Sequence, residues 1–280
     1  MESIERRRAL TDFVMRIVCS GAAFASAAIL LVLMLHVVIE GATALSITLF
    51  TSLPTPLGLP GGGVAHAFVG SIIIVGLACA WGIPLGIGAA FYTSEYAGPQ
   101  VSAVVRFAAE VLSGVPSIVV GIFAYTVIVA QTGTFSGLAA AFALGVIMLP
   151  IVSRTTEEIL RLVPTNLREA SYALGVPRWR TTLSVVLPAA ANGVATGVML
   201  AVARIAGETA PLLFTTLGNS FLNTDPARPM AAATLVIFQY AIWPYDYLQR
   251  QAWAASLVLL IVVLLTNLAV RLVARTRTLG

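Results

Sequence analysis

Lysine is missing from this chain of 280 residues: all sixteen of its cationic side chains are arginine, set against twelve Asp and Glu. That absence excludes a glycine-rich phosphate loop, whose lysine reaches the β- and γ-phosphates, and a Schiff-base lysine. Charge of either sign is scarce at 10% of residues, where soluble proteins carry roughly 25%. Cysteine and histidine number two each, Cys19 with Cys79 and His36 with His66. They stand far apart in or beside apolar stretches, so they make no metal set, and both cysteines read as packed apolar residues rather than a disulfide. What the chain has instead is apolar surface: 59% hydrophobic residues and a mean hydropathy of +0.95. A soluble domain of this size must still show water a polar skin, so lipid is the solvent for most of this chain. Disorder, a disulfide scaffold and nucleic-acid binding all run against this composition.

A membrane-spanning helix needs about 20 mostly apolar residues. Six stretches meet that length: Ile17–Glu40, Ala65–Thr93, Val104–Ala130, Phe135–Val152, Pro188–Thr215 and Ala252–Val273. The run Met230–Ile242 is too short to cross and lies between Pro229 and Pro244, which predicts a helix on the outer surface or one re-entering partway. Arginine gives the orientation. With both ends of the chain in the cytoplasm, thirteen of the sixteen Arg fall inside, among them Arg6, Arg7, Arg8, Arg16, Arg271, Arg275 and Arg277. The positive-inside rule selects that arrangement. The organisation expected is a cytoplasmic segment over 1–16, an uncleaved anchor helix over 17–40, an outer loop over 41–64 and a core over 65–280, with a cytoplasmic loop at about 153–187. In the outer loop, Thr51–Gly63 has no charge, three prolines and four glycines, which predicts irregular structure.

The cytoplasmic loop is the most informative stretch. Glu169-Ala170-Ser171-Tyr172-Ala173-Leu174-Gly175-Val176-Pro177-Arg178-Trp179 reads as a short helix, a break and a second short helix. Gly175 can take the left-handed conformation that ends a helix, and Pro177 prevents simple continuation. The small side chains of Ala170, Ser171 and Ala173 let another surface approach. Such an element suits docking; the plainer reading is a soluble connector.

Span five carries ionisable groups at membrane depth, Arg204 and Glu208, followed by Thr209. Spaced by four, Arg204 and Glu208 share a helix face. They form either a self-neutralising ion pair or a polar face on a substrate path. The planar fork of Arg204 suits bidentate contact with oxyanions. Glu208 would accept a hydrogen bond from a protonated oxyanion and repel a fully ionised one. Gly82 and Pro84 in span two and Gly114, Pro116 and Gly121 in span three suggest either hinges and a pathway lining or close packing by small residues. Arg106 with Glu110 reads as an i, i+4 structural pair, and Arg154, Glu157 and Glu158 as a solvated face.

The spacing of Glu169, Ala170, Gly175, Leu187 and Pro188 resembles the coupling motif of ABC-importer permeases, departing from it at Ser171 for Ala and Val185 for Ile. Several further stretches are similar to phosphate-importer permeases of the PstA type. They are Leu112–Val119, Leu149–Glu158, Ala203–Leu213, the Gly61-Gly62-Gly63 run and Ser94–Ala97. The Arg204-x3-Glu208-Thr209-Ala210-Pro211 segment favours this A-type subunit over its paired C-type permease.

The resemblance implies an all-α membrane protein with six transmembrane helices and the type I ABC importer permease fold. It implies three kinds of partner besides membrane lipid: a homologous permease, a cytoplasmic ATP-binding subunit dimer and an extracytoplasmic phosphate-binding protein completing the importer around this chain. ATP would be bound by the partner ATPase, with no cofactor in this chain and no catalysis by it. It implies pathway residues Arg204, Glu208, Thr209, Ser113 and Ser117. Coupling residues would be Glu169, Ala170, Ser171, Gly175, Pro177 and Arg178, and hinge or gate residues Gly82, Pro84 and Pro116. Three other readings stand beside it: a permease for sulfate or molybdate, a membrane adaptor that senses phosphate, and an integral-membrane enzyme acting on lipid phosphates. The last lacks any acid–base or metal-binding cluster at a membrane face.

Overall fold

The computed structural model describes residues 2–276, with side chains over 7–8 and 10–269. Arg277 lies outside the described residues, and Arg6, Arg271 and Arg275 outside the described side chains. Among the described residues there is no strand. The chain runs α1 (Glu2–Thr43), α2 (Ile47–Thr51), α3 (Ala65–Phe91), α4 (Pro99–Gly114), α5 (Ser117–Ala124), α6 (Ala130–Thr132), α7 (Gly137–Leu162), α8 (Thr165–Ala173), α9 (Arg178–Thr181), α10 (Leu187–Ala206), α11 (Ala210–Thr215), α12 (Ala233–Ile242) and α13 (Asp246–Thr276). One-turn π segments follow α3, α5 and α9, at Tyr92–Tyr96, Tyr125–Val129 and Thr182–Val186.

Among the described residues, five helices are long and apolar enough to cross a membrane, and α4 with α5–α6, bent by 100°, makes a sixth when the pair is taken as one broken span. The bend has a local cause. Pro116 disfavours helical backbone at the residue before it, and Val115 is extended at φ −69°, ψ 129°. The third span is therefore two helices at a right angle rather than one rod. The fifth differs from expectation too. α9, its π turn and α10 run on as one span over Arg178–Ala206, and the helix stops at Gly207 instead of reaching Thr215. Pro188 does not start the span; it lies inside it, directly after the Thr182–Val186 π turn, where the regular hydrogen-bond ladder is already interrupted. α7 continues ten residues past Val152, so Arg154–Leu162 is helix rather than loop.

α7 is the centre of the bundle, and small residues bring its backbone close to α3. A β-carbon on Gly82 would meet Met148 Sδ at 3.2 Å, one on Gly86 would meet Val152 Cβ at 2.8 Å, and one on Gly145 would collide with Trp81. Without a hydrophobic drive between helices in lipid, such close contact supplies the packing energy. Ile74, Leu144, Met148, Ile205, Leu212 and Leu235 bring five elements into one core. α12 does not lie on the surface. Thr234, Leu235, Val236 and Tyr240 are buried in the bundle, and Ser71 Oγ accepts from Ala233 N at 2.7 Å. α1 stands apart, charged over its first turns and largely apolar from Ile17 onward, and touches α13 through His36 against Trp253, with ring centroids 5.0 Å apart. Cys19 is exposed on α1 rather than packed, and Cys79 is half-buried.

Candidate functional site

The break at Pro116 shapes a small cavity. Its wall is Leu112, Ser113, Val115 and Ser117 from the two sides of the break, Ile147 and Ile151 from α7, and Arg204 from α10. At about 90 Å³ it has room for several water molecules. Two hydroxyls and a guanidinium on otherwise apolar walls favour a small oxyanion, because the arginine fork donates charge-assisted hydrogen bonds.

Three of the five expected pathway residues, Ser113, Ser117 and Arg204, thus face one cavity, while Glu208 and Thr209 stand outside its lining. Arg204 is in the last turn of α10, and Glu208 lies beyond the helix end. The two do not share a helix face, yet Arg204 Nε is 3.8 Å from Glu208 Oε1. At that distance the pair is a loose ion pair without a hydrogen bond. The Arg204 side chain keeps 58% exposure, against 16% for Glu208. Thr234 Oγ1 donates to the Glu208 carbonyl at 2.9 Å, tying the break after α10 to α12. Thr209 is the residue before α11 and makes no capping bond with its side chain.

Of the expected hinges, Pro116 occupies the 100° break. Pro84 is exposed in the middle of α3, which runs unbroken through it, and Gly82 is pressed against α7.

The second element is the helix–break–helix at the arginine-rich end. α8 ends in a Schellman arrangement: Gly175 N donates to Tyr172 O at 2.9 Å and Val176 N to Ser171 O at 3.2 Å. Gly175 has φ +78°, the left-handed conformation that closes this motif. Pro177 then precedes α9. Glu169, Ala170, Gly175, Pro177 and Arg178 are exposed. Arg178 also lies over the Tyr96 ring, 5.8 Å from its centroid. Ser171 does not belong to that outer face. It is buried, and its hydroxyl pairs with Thr181 Oγ1 at 2.8 Å, fastening α8 to α9. Leu174, Trp179 and Tyr172 are exposed around Gly175, an apolar patch of the kind that marks a protein interface.

Two ion-pair clusters brace this end, and the first was invisible to spacing rules. Arg168 Nη2 donates to Glu95 Oε1 at 2.8 Å, with side-chain exposures of 16% and 6%. The same guanidinium donates to Val163 O at 2.6 Å and Leu160 O at 2.9 Å, satisfying carbonyls at the end of α7. Glu95 and Arg168 are 73 positions apart; Glu95 lies in the Ser94–Ala97 stretch and Arg168 just before the coupling motif, and neither position signals the pairing. In the second cluster, Glu157 Oε1 accepts from Arg106 Nε at 2.7 Å and Arg161 Nη2 at 2.9 Å. Arg106 is therefore paired across to α7 and not with Glu110, whose carboxylate is 3.9 Å from Arg154. Glu157 is 4% exposed, so it is a buried bridge rather than part of a solvated face.

Comparison with known proteins places the chain among transport permeases. The phosphate transport system permease protein PstA of Yersinia pestis is 46% identical over 237 residues, 84% of this chain and 80% of that protein. The protein of the same name from Xylella fastidiosa (strain 9a5c) is 46% identical over 234 residues, 83% of this chain and 81% of that one. Among solved structures, a bacterial alginate ABC transporter chain superposes with a TM-score of 0.68 at 14% identity, covering 95% of this chain and 96% of that one. A chain of the inward-facing MetNI methionine ABC transporter gives 0.60 at 20% identity, covering 76% and 94%. These likenesses establish the all-helical type I ABC importer permease fold. Residues 82–278 match the family described as binding-protein-dependent transport system inner membrane component, and the chain belongs to that family.

Proposed function

We infer that this chain is one permease half of an ATP-driven importer of inorganic phosphate in a bacterial inner membrane. The observation that carries the substrate class is the cavity lined in common by Arg204, Ser113 and Ser117. An anion of phosphate's size and donor needs suits that wall, and the relatives at 46% identity bear the name of phosphate permeases. Both chain termini face the cytoplasm in this reading, as the arginine distribution favours.

A homologous permease completes the path. A cytoplasmic ATPase dimer docks on the exposed face around Glu169, Ala170, Gly175 and Arg178, and an extracytoplasmic binding protein delivers phosphate. The chain contributes the path and the docking segment; hydrolysis belongs to the ATPase. Alternating access follows from its build. The α9 end of the docking segment runs on into α10, whose last turn carries Arg204, so closure of the ATPase dimer moves the cavity wall. Glu208 rejects ligands without a proton to donate, which separates phosphate from sulfate at this step.

The test is radiolabelled phosphate uptake at low external phosphate, with sulfate and molybdate alongside. Cells lacking the chain should lose phosphate uptake alone, and regain it with the wild type but not with Glu169→Lys. Loss of a different oxyanion would keep the transporter and overturn the substrate; unchanged uptake of all three with altered expression of phosphate-responsive genes would favour an adaptor.

A further inference from the structure

Arg168 and its neighbour Glu169 face opposite ways. Glu169 is exposed on the docking face, while the guanidinium of Arg168 is turned inward. Its Nε lies 3.3 Å and 3.4 Å from the two oxygens of Glu95, and Nη2 makes the 2.8 Å contact already described. Glu95 sits in the π turn between α3 and α4. That turn is itself fastened to the start of α4, because Ser102 Oγ donates to Thr93 O at 2.9 Å in a buried contact. From there α4 runs sixteen residues, about 24 Å at 1.5 Å per residue, to the break beside Ser113. The cavity therefore has one wall on each of two routes from the docking segment. The wall at Arg204 is reached through the continuous helix α9–α10. The wall at Ser113 has no such covalent route from α8; the Arg168–Glu95 pair bridges to α4.

We propose that the Arg168–Glu95 pair is a positioning link that transmits movement of the docking segment to α4, and through it to the Ser113 wall of the cavity. This rests on the reading of the chain as an ATP-driven phosphate importer subunit. A buried, multiply bonded arginine–carboxylate contact is short and geometrically defined, so α8 cannot shift without taking the α3–α4 turn with it. The bonds from Arg168 to Leu160 and Val163 hold α8 on α7 independently of Glu95. Glu95→Ala thus cuts the direct bond from α8 to the α3–α4 turn, leaving the docking segment seated on α7 and the Glu157–Arg106 contact between α7 and α4 in place.

The experiment uses the whole complex, reconstituted in liposomes with its ATPase, paired permease and binding protein. Phosphate transported and ATP hydrolysed are measured together, and ATPase retention is read from co-purification. For Glu95→Ala the expected result is at least a tenfold fall in phosphate moved per ATP, with the ATPase still bound. A ratio within threefold of wild type overturns the link, as does loss of the ATPase, which would make the pair a scaffold for the docking face. Should Glu95→Ala fail to accumulate in the membrane, Glu95→Gln keeps the shape and removes the counter-charge. It is read by the same two measurements, with a threefold fall in the ratio as the dividing line. A wild-type complex that hydrolyses ATP but moves no phosphate overturns the importer reading itself, and so is distinguishable from failure of the link.

Discussion

Glu157 on α7 and Arg106 on α4 meet at 2.7 Å, and this contact is what holds the long arm of the broken span against the centre of the bundle. Arg161 shares the same oxygen, so one buried carboxylate serves two arginines. Removing the carboxylate leaves Arg106, 34% exposed, without its partner. Breaking a buried pair costs about 3–5 kcal/mol; partial exposure of both arginines reduces this to roughly 2–3 kcal/mol. Glu157→Ala should lower the thermal midpoint in detergent by roughly 5–10 °C. Glu158→Ala is the control. Its carboxylate is 68% exposed and 4.0 Å from Arg154, and its loss should shift stability by less than about 0.5 kcal/mol.

The glycines of α3 divide sharply by position. A β-carbon on Gly70 would strike the carbonyl of Ala231, which is backbone and has nowhere to move, whereas Gly76 and Gly88 have nothing within 4 Å. Gly70→Ala should therefore abolish accumulation of folded protein in the membrane. Gly76→Ala and Gly88→Ala should be neutral or raise the thermal midpoint, since alanine is favoured over glycine in a helix by roughly 1 kcal/mol. Western blotting of membrane fractions and a melting curve for each variant separate the two cases.

What the sequence made legible follows from range. Apolar length located the five long spans and the bent pair, with the fifth displaced by about ten residues, and the Gly175–Pro177 break was readable because helix termination is decided within a few residues. The Pro116 interruption was local as well, though its 100° angle depends on what packs around it. The errors came from tertiary competition. Arg106 and Glu110 obeyed the i, i+4 rule, but a buried carboxylate on another helix is a stronger partner than an exposed one on the same helix. The end of α10 at Ala206 separated Arg204 and Glu208 from a shared face, because Gly207 allows the chain to leave the helix there. Ser171 stands where the motif has Ala, and its hydroxyl serves Thr181 internally. Arg168 and Glu95 had no periodic signal at all; only folding brings them together.

Gly175 offers a test confined to the docking segment. Its φ of +78° closes α8, and no atom would obstruct a β-carbon there. Substitution therefore acts through backbone strain alone, about 1–2 kcal/mol for a residue other than glycine in the left-handed region. Gly175→Ala should leave the bundle's thermal midpoint nearly unchanged and weaken ATPase binding by roughly tenfold, the equivalent of about 1.4 kcal/mol. Gly175→Asn should lose less, because asparagine tolerates this conformation better. Pull-down of the ATPase across a concentration series reads both.

Arg204 decides whether the cavity recognises its ligand by charge or by shape. Its side chain is 58% exposed and only loosely engaged with Glu208, so the guanidinium is free to reorient onto a ligand. Arg204→Lys keeps the positive charge but replaces the planar fork with a point charge. If charge alone attracts the anion, Lys should transport nearly as well as Arg. Bidentate recognition predicts instead a fall of at least tenfold in phosphate uptake for Arg204→Lys, close to that of Arg204→Gln, with the complex still assembled. Glu208→Gln separates the carboxylate's part. It removes the repulsion toward ligands that have no proton, so sulfate uptake should appear in that variant while phosphate uptake falls less than in either Arg204 variant. Uptake of both anions, measured across the three variants in the same cells, distinguishes a shaped oxyanion site from a merely cationic one.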